Sequence, residues 1–184
     1  LYYLQLGVHS VLRLDISQDC LNVTATCIVG CAGFNASRNY IINGDGGLAS
    51  EAVLMAPETM AFSAAGDLFV VDGGVLRQVD MVAQTISTYS ALCGGKVYGM
   101  AIDAQGNIVT TNTATNQIWM LIKDGMRCVI IAGTGQYGLS GDDGSAIQWR
   151  NCCSAFNWRH LLHGCGQLSS ASVEASSTRL LCRR

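Results

Sequence analysis

A single proline, Pro57, punctuates the sequence, and Asp, Glu, Lys and Arg together make up only 13% of it. The scarcity of charge excludes a chain held open by self-repulsion, since about a quarter of an average soluble domain is charged. Eleven basic residues against thirteen acidic ones form no long cluster, so the electrostatic footprint of a nucleic-acid binder is missing. Long apolar runs are missing too. The stretch "RCVIIAGTG" breaks at Gly133, well short of the roughly 18 residues that a membrane-spanning helix needs. Histidine is limited to His9, His160 and His163, and no catalytic signature is present. There is no G-x-S-x-G, and "GTGQYG" reads as a turn because it lacks the Lys and the following helix of a phosphate-binding loop. The sequence starts at Leu1 without the charged-then-apolar run of a signal peptide. The expectation is a fragment of a larger protein whose true start lies elsewhere.

Cysteine is plentiful, at nine, yet no two form a C-x-x-C pair. A structural zinc site wants four ligands and usually such a pair. The set His160, His163 and Cys165 in "HLLHGC" is one ligand short and reads as a chance cluster. The cysteines therefore point to disulfides or to small buried side chains. Cys20, Cys31 and Cys93 lie in loops and are the candidates for bridging. Cys27 and Cys128 fall at matching strand positions and are expected simply to be buried. With an odd number, at least one stays free.

Glycine, at 21 residues, divides short apolar runs with the help of Asn, Asp and Ser, which is how strands joined by turns are written. The expected class is all-β. In "PETMAFSAAGDLFVVD", Met60 and Phe62 share one face, Gly66 and Asp67 make a turn, and a second apolar run follows. "VYGMAIDAQGNIVTTN" repeats the device: Met60 and Met100, Gly66 and Gly106, and Asp72 and Asn112 are each 40 residues apart. Two more strands are expected after each hairpin, over 75–80 and 85–90, then 117–122 and 127–133. At the start, "SVLRLD" aligns with "VLRQVD" and "TCIVGCAG" with "RCVIIAG". Repeats of about 40 to 45 residues with four strands each are the mark of a β-propeller.

The run from "GDGGLASEAVLMAPETMAFSAAGDLFVVD" to "TYS", and its echo from "GKVYGMAIDAQGNIVTTN" to "GDDGSAIQ", resemble the NHL repeat, the unit of NHL-type propellers, over about residues 10–148. The resemblance implies a partial propeller, an incomplete ring. Residues 1–33 are the tail of a preceding blade, 34–90 a blade with its leading loop, and 91–148 a second blade with the connector to the next. Residues 149–184 are an irregular tail. That tail holds four of the nine cysteines and five of the eleven basic residues. It reads as blade sequence interrupted by a mis-predicted exon or reading-frame shift, with a disordered tail and a basic anchor as alternatives. A closed propeller has typically four to eight blades, so residues 1–148 alone are expected to lack a sharp monomeric unfolding transition.

The resemblance also makes sense of a motif written twice. Gly44, Asp45, Gly46 and Gly47 recur, 97 positions on, as Gly141, Asp142, Asp143 and Gly144. In the family this segment leaves the outermost strand of one blade and carries the chain inward to the next. Glycines supply positive φ there, Asp bonds the backbone two residues on, and small Ala49, Ala52 and Ala146 allow a close crossing. Read functionally, Asp45, Asp142 and Asp143 would offer calcium ligands, with Asp103 on an inner strand as a fourth candidate. The spacing is not that of a calcium loop, so the turn reading is preferred and no cofactor is expected. The junction "ALCGGKVYGMAI" is shortened and lacks the Gly-Asp segment and the proline that the family places there.

Arg13 and Arg77 occupy matching third-strand positions, with Trp119 near the equivalent place. They read as long side chains covering apolar surface, or else as a ring of Arg for carboxylate or phosphate partners. The tripeptides "NVT" at Asn22 and "NAS" at Asn35 are glycosylation acceptors. With the cysteines they point to an extracellular or cell-surface setting. The function expected is a non-catalytic propeller module that presents its rim loops to a protein or a glycan. The alternative is a lactonase-like hydrolase or lyase with calcium in the channel.

Overall fold

The computed structural model of the chain describes residues 1–18, 22–33, 44–123, 127–138 and 144–148. Cys20, Asn35, Gly141, Asp142, Asp143, His160, His163, Cys165 and the expected tail over 149–184 lie outside them.

The all-β expectation holds. Among the described residues, eleven strands form three antiparallel meanders. The first sheet is β1 (Tyr2–Gln5), β2 (Ser10–Ile16) and β3 (Val23–Val29). The second is β4 (Pro57–Phe62), β5 (Leu68–Asp72), β6 (Val75–Asp80) and β7 (Thr85–Ala91). The third is β8 (Gly99–Ile102), β9 (Ile108–Asn112), β10 (Gln117–Leu121) and β11 (Cys128–Ala132). The helical elements described are the single 3-10 turns Ala49–Glu51 and Ala146–Gln148.

The hairpins form where turn chemistry interrupts an apolar pattern. Ser63 N–H donates to the Asp67 carbonyl and Gly66 N–H to that of Ser63. Forty residues on, Asp103 and Gly106 repeat both bonds with Asn107 and Asp103. Gly66 and Gly106 have φ of 94° and 88°, a region that penalises a Cβ.

The sheets stack face to face. Leu68, Val70, Val79 and Ile86 of the second sheet pack with Val11 and Val29 of the first. Phe69, Val71 and Leu76 pack the other way, with Met100, Ile108 and Leu121 of the third. The unbroken run "LFVVD" of β5 is thus buried on both faces, as a continuous apolar strand must be to satisfy every side chain. β4 lies beside β8, and β1 beside β4, where the Tyr2 and Phe62 rings meet at 4.7 Å.

A bulge recurs at one place in all three sheets. Between the last two strands the register slips at Val11/Leu12, at Leu76/Arg77 and at Ile118/Trp119. The position after each slip therefore holds Leu12, Arg77 and Trp119. Arg13 is not the counterpart of Arg77, so the alternative of an arginine ring is not met among the described residues, and Arg77 is buried where a half-exposed side chain was expected. In the same frame Cys27 aligns with Ile130, two residues beyond Cys128, so the cysteine match read from sequence was also out of register. Both sequence matches followed shared letters, Val-Leu-Arg and a cysteine, whereas the frame is set by strand pairing relative to a bulge that all three sheets carry at the same place.

Candidate functional site: the loop end and its buried clamps

Three turns and two connecting segments converge at one end of the sheets. The turns are residues 6–9 between β1 and β2, Gly73 and Gly74 between β5 and β6, and residues 113–116 between β9 and β10. The connecting segments are residues 52–56, which lead into β4, and residues 92–98, which lead into β8. Backbone bonds join them: Gly73 N–H donates to the Ala56 carbonyl, and Leu92 N–H to that of Gly74. His9 Nδ1 lies 3.1 Å from the Leu54 carbonyl oxygen.

Beneath this end lies a buried charge cluster. Arg77 is 1% exposed. Its Nη2 stands 2.6 Å from Asp45 Oδ1, and its Nη1 stands 3.8 Å from Asp72 Oδ2. Asp72 Oδ1 accepts from the Met55 and Ala56 N–H groups, each at 2.7 Å, and so fixes the segment that enters β4. Burial raises the Asp72 carboxyl above its ordinary pKa, and this outweighs the opposing pull of those two donors and of the Arg77 guanidinium. Asp45 also accepts from Thr88 N–H on β7. Gly46 N–H donates to the Ile86 carbonyl and Ile86 N–H to that of Gly47. Gly44 has φ of 101°, and a Cβ there would meet Ala52 at about 3 Å.

The 3-10 turns Ala49–Glu51 and Ala146–Gln148 dock alike at the end of the preceding strand. Gly30 N–H donates to the Ala49 carbonyl, and Gly133 N–H to that of Ala146. Both glycines have positive φ, and a Cβ on either would fall within 2.4 Å of the carbonyl of His9 or Asn116. Gly144 is described and exposed.

In the third sheet the matching clamp is neutral. Asn112, the counterpart of Asp72, donates from Nδ2 to the Gly94 carbonyl, and its Oδ1 caps the Ala114 and Thr115 N–H groups. Trp119, the counterpart of Arg77, lies under Gly94, where a Cβ would meet its Nε1 at 3.0 Å. Cys93 is bonded to Cys128, tying the incoming segment to β11. Cys27 is bonded to Cys31. Of the three loop cysteines expected to be bridged, Cys31 and Cys93 are. Their partners are the two cysteines expected to be merely buried. Pairing depends on the distance between Cα atoms, here 5.6 and 5.8 Å, which strand patterning does not report.

Asp103 is not on an inner strand. It sits in the β8–β9 turn, where its carboxylate accepts from Gln105 N–H, Asn107 N–H and Asn107 Nδ2. Among the described residues, no three His, Cys, Asp or Glu side chains gather into a set able to hold a metal ion. Also among them, no helix is long and apolar enough to cross a membrane.

Over these clamps the loop end exposes apolar side chains: Leu6 at 56%, Val8 at 46% and Tyr98 at 59%. Lys96 Nζ stands 5.4 Å from the centre of the Tyr98 ring. The opposite end is made of tight turns around Asp67, Asp80 and Asp103, with Leu1, Val23, Phe62 and Val82 exposed around them.

No protein-family model and no curated protein matches the chain. Among solved structures, the extracellular domain of BT4673 from B. thetaiotaomicron is similar over 69% of this chain, with 12% identity and a TM-score of 0.37. The matched region spans 15% of that chain.

Proposed function

We propose that the chain is part of an NHL-type β-propeller, an incomplete ring of radial sheets, that acts without catalysis by binding a protein partner at the loop end in an extracellular setting. Support for the propeller comes from the four-stranded meanders, the bulge shared by all three sheets and the face-to-face stacking with β4 beside β8. Support for the setting comes from the two disulfides, which persist in oxidising compartments.

The observation that carries the binding reading is the loop end itself. Its connectors are held by bonds to Asp72 and Asn112, its first turn meets the Leu54 carbonyl through His9, and Leu6, Val8 and Tyr98 are exposed there. Held loops that expose apolar side chains are where scaffolds place recognition. The carboxylates are already committed: Asp45, Asp72 and Asp103 each accept at least two protein donors.

A photo-crosslinking amino acid at position 98, with position 82 as the control on the opposite end, tests the reading in extracellular fluid. One discrete protein adduct from position 98 alone is expected. Equal labelling from both positions sinks the loop end as the binding face. Calcium is expected to leave the Tm unchanged; a calcium-dependent rise abolished by Asp103→Asn would replace this reading with the hydrolase one.

A further inference from the structure

We propose that Gly95 and Lys96 form a carboxylate-binding site at the loop end, where the partner docks through an acidic side chain with an apolar neighbour; the proposal rests on the binding reading above. The site arises from the change of clamp between the second and third sheets. In the second, Asp72 is an acceptor and draws the Met55 and Ala56 N–H groups inward. In the third, Asn112 Nδ2 is a donor and draws the Gly94 carbonyl inward instead. A trans peptide points its C=O and its N–H in opposite directions, so the Gly95 N–H is turned outward. Among the described residues, the N–H groups of Gly95 and Lys96 meet no acceptor. Gly95 is exposed with φ of 89°, and nothing lies within 4 Å of where its Cβ would stand. A ligand can therefore approach this backbone closely.

The next residue brings charge. Lys96 is exposed and makes no ion pair among the described residues. The other described cations are engaged or distant: Arg13 pairs with Asp15 and Arg77 with Asp45, while Lys123 and Arg127 flank the β10–β11 turn at the opposite end. Lys96 Nζ stands 5.4 Å from the centre of the Tyr98 ring, which holds the ammonium beside an exposed aromatic face. Between the two, Val97 is 1% exposed, and its N–H donates to Glu58 Oε2 at 3.2 Å. Tyr98 N–H donates to the Thr111 carbonyl at 3.1 Å, and the Cys93–Cys128 bond holds the segment from its other side. The donors are thus fixed before a partner arrives, which lowers the ordering cost of binding.

One ammonium with the two backbone donors suits a single negative charge. A phosphate dianion is better served by a cluster of Arg, and the Glu58 carboxylate on Val97 already supplies negative charge nearby. A carboxylate is therefore the anion that fits. Tyr98, 59% exposed, offers ring surface to an apolar side chain next to that carboxylate.

The isotope-labelled full chain is titrated with acetyl-leucyl-glutamyl-leucine amide, and with its glutamine analogue as the control, while backbone amide shifts are followed by NMR. Saturable shifts at Gly95 and Lys96 are expected with the glutamate peptide alone. Lys96→Gln is expected to weaken that binding about tenfold, and Lys96→Arg to keep it, each with the parental spectrum away from the site. Shifts absent from Gly95 and Lys96 into the millimolar range, or equal with the glutamine peptide, overturn the proposal. Inorganic phosphate that displaces the peptide well below the peptide's own concentration overturns the choice of carboxylate. A protein adduct from position 98 that forms equally in Lys96→Gln overturns this site and leaves the loop end standing as the binding face. Saturable shifts in a chain whose position 98 labels no protein keep the carboxylate site and sink the protein partner.

Discussion

In the second sheet, the segment arriving from its neighbour is held by charge. Asp45 from the connector and Asp72 from β5 flank the buried guanidinium of Arg77, and Asp45 reaches β7 through Thr88. In the third sheet the same places hold Asn112 and Trp119, and the connector reaches β11 through the Cys93–Cys128 bond. The backbone frame is shared down to the bulge, whereas the chemistry that ties each connector to its sheet is not. The difference teaches that the position after the bulge demands a large side chain over the connector and leaves its charge open. Charge appears only where the connector supplies an Asp. The shortened junction before β8 has no Asp to supply, and a covalent bond stands in its place.

The largest way to break this comparison is to cut the covalent tie. Cys93→Ser opens a loop of sequence separation 35, and the expected loss is roughly 3–4 kcal/mol of stability, read by denaturant unfolding under oxidising conditions. If the variant unfolds like the parent, the third sheet does not depend on its disulfide and the parallel with Asp45 fails.

Removing the charge tie comes next. Arg77→Met leaves Asp72 buried without its cation, and about 3 kcal/mol is the expected cost. Adding Asp72→Asn, which recreates the polar choice of the third sheet, is expected to recover part of that loss; strict additivity of the two would show that the residues are not coupled. The pair also has a pH signature. Because burial holds the folded Asp72 pKa above its ordinary value, the folded chain keeps a proton there that the unfolded chain has already released. The stability from this group is fully present below the ordinary value and is lost as the pH rises through the raised one. Unfolding free energy is therefore expected to fall with rising pH across that window, and the fall is expected to flatten in Asp72→Asn. A rise over the same window in the parent, absent from the variant, contradicts the assignment.

The smallest effect separates two glycines of similar φ. Gly133, at 91°, would place a Cβ 2.3 Å from the Asn116 carbonyl oxygen, whereas Gly95, at 89°, faces open space. Gly133→Ala is expected to cost roughly 2–3 kcal/mol, combining strain and overlap. Gly95→Ala is expected to cost about 1 kcal/mol, from strain alone. Equal losses would mean that the docking of β11 on the turn after β9 is loose enough to take up a methyl group.

Strand positions were largely legible because they follow local rules. The hairpins around Gly66 and Gly106 were read correctly from alternation and turn residues, and Val75–Asp80 matched to the residue. β1 was missed, since "YYLQ" is short and lacks the clear alternation that marks the other strands. β3 begins at Val23, earlier than the alignment on "TCIVGCAG" placed it. The site was less legible. Arg77 was read as a surface side chain or one of a ring; its burial depends on Asp45, 32 residues away in sequence. Asp103 was placed on a strand because the apolar run before it looked longer than the pairing allows.

What the sequence by itself determined is the sheet-forming class and the 40-residue period of the two hairpins, since alternation and turn glycines act within a few positions along the chain. Only the tertiary structure decided which cysteines meet, which arginine is buried and which carboxylates are committed. Those outcomes turn on contacts between residues far apart in the chain, such as Arg77 with Asp45 and Cys93 with Cys128, which local alternation does not report.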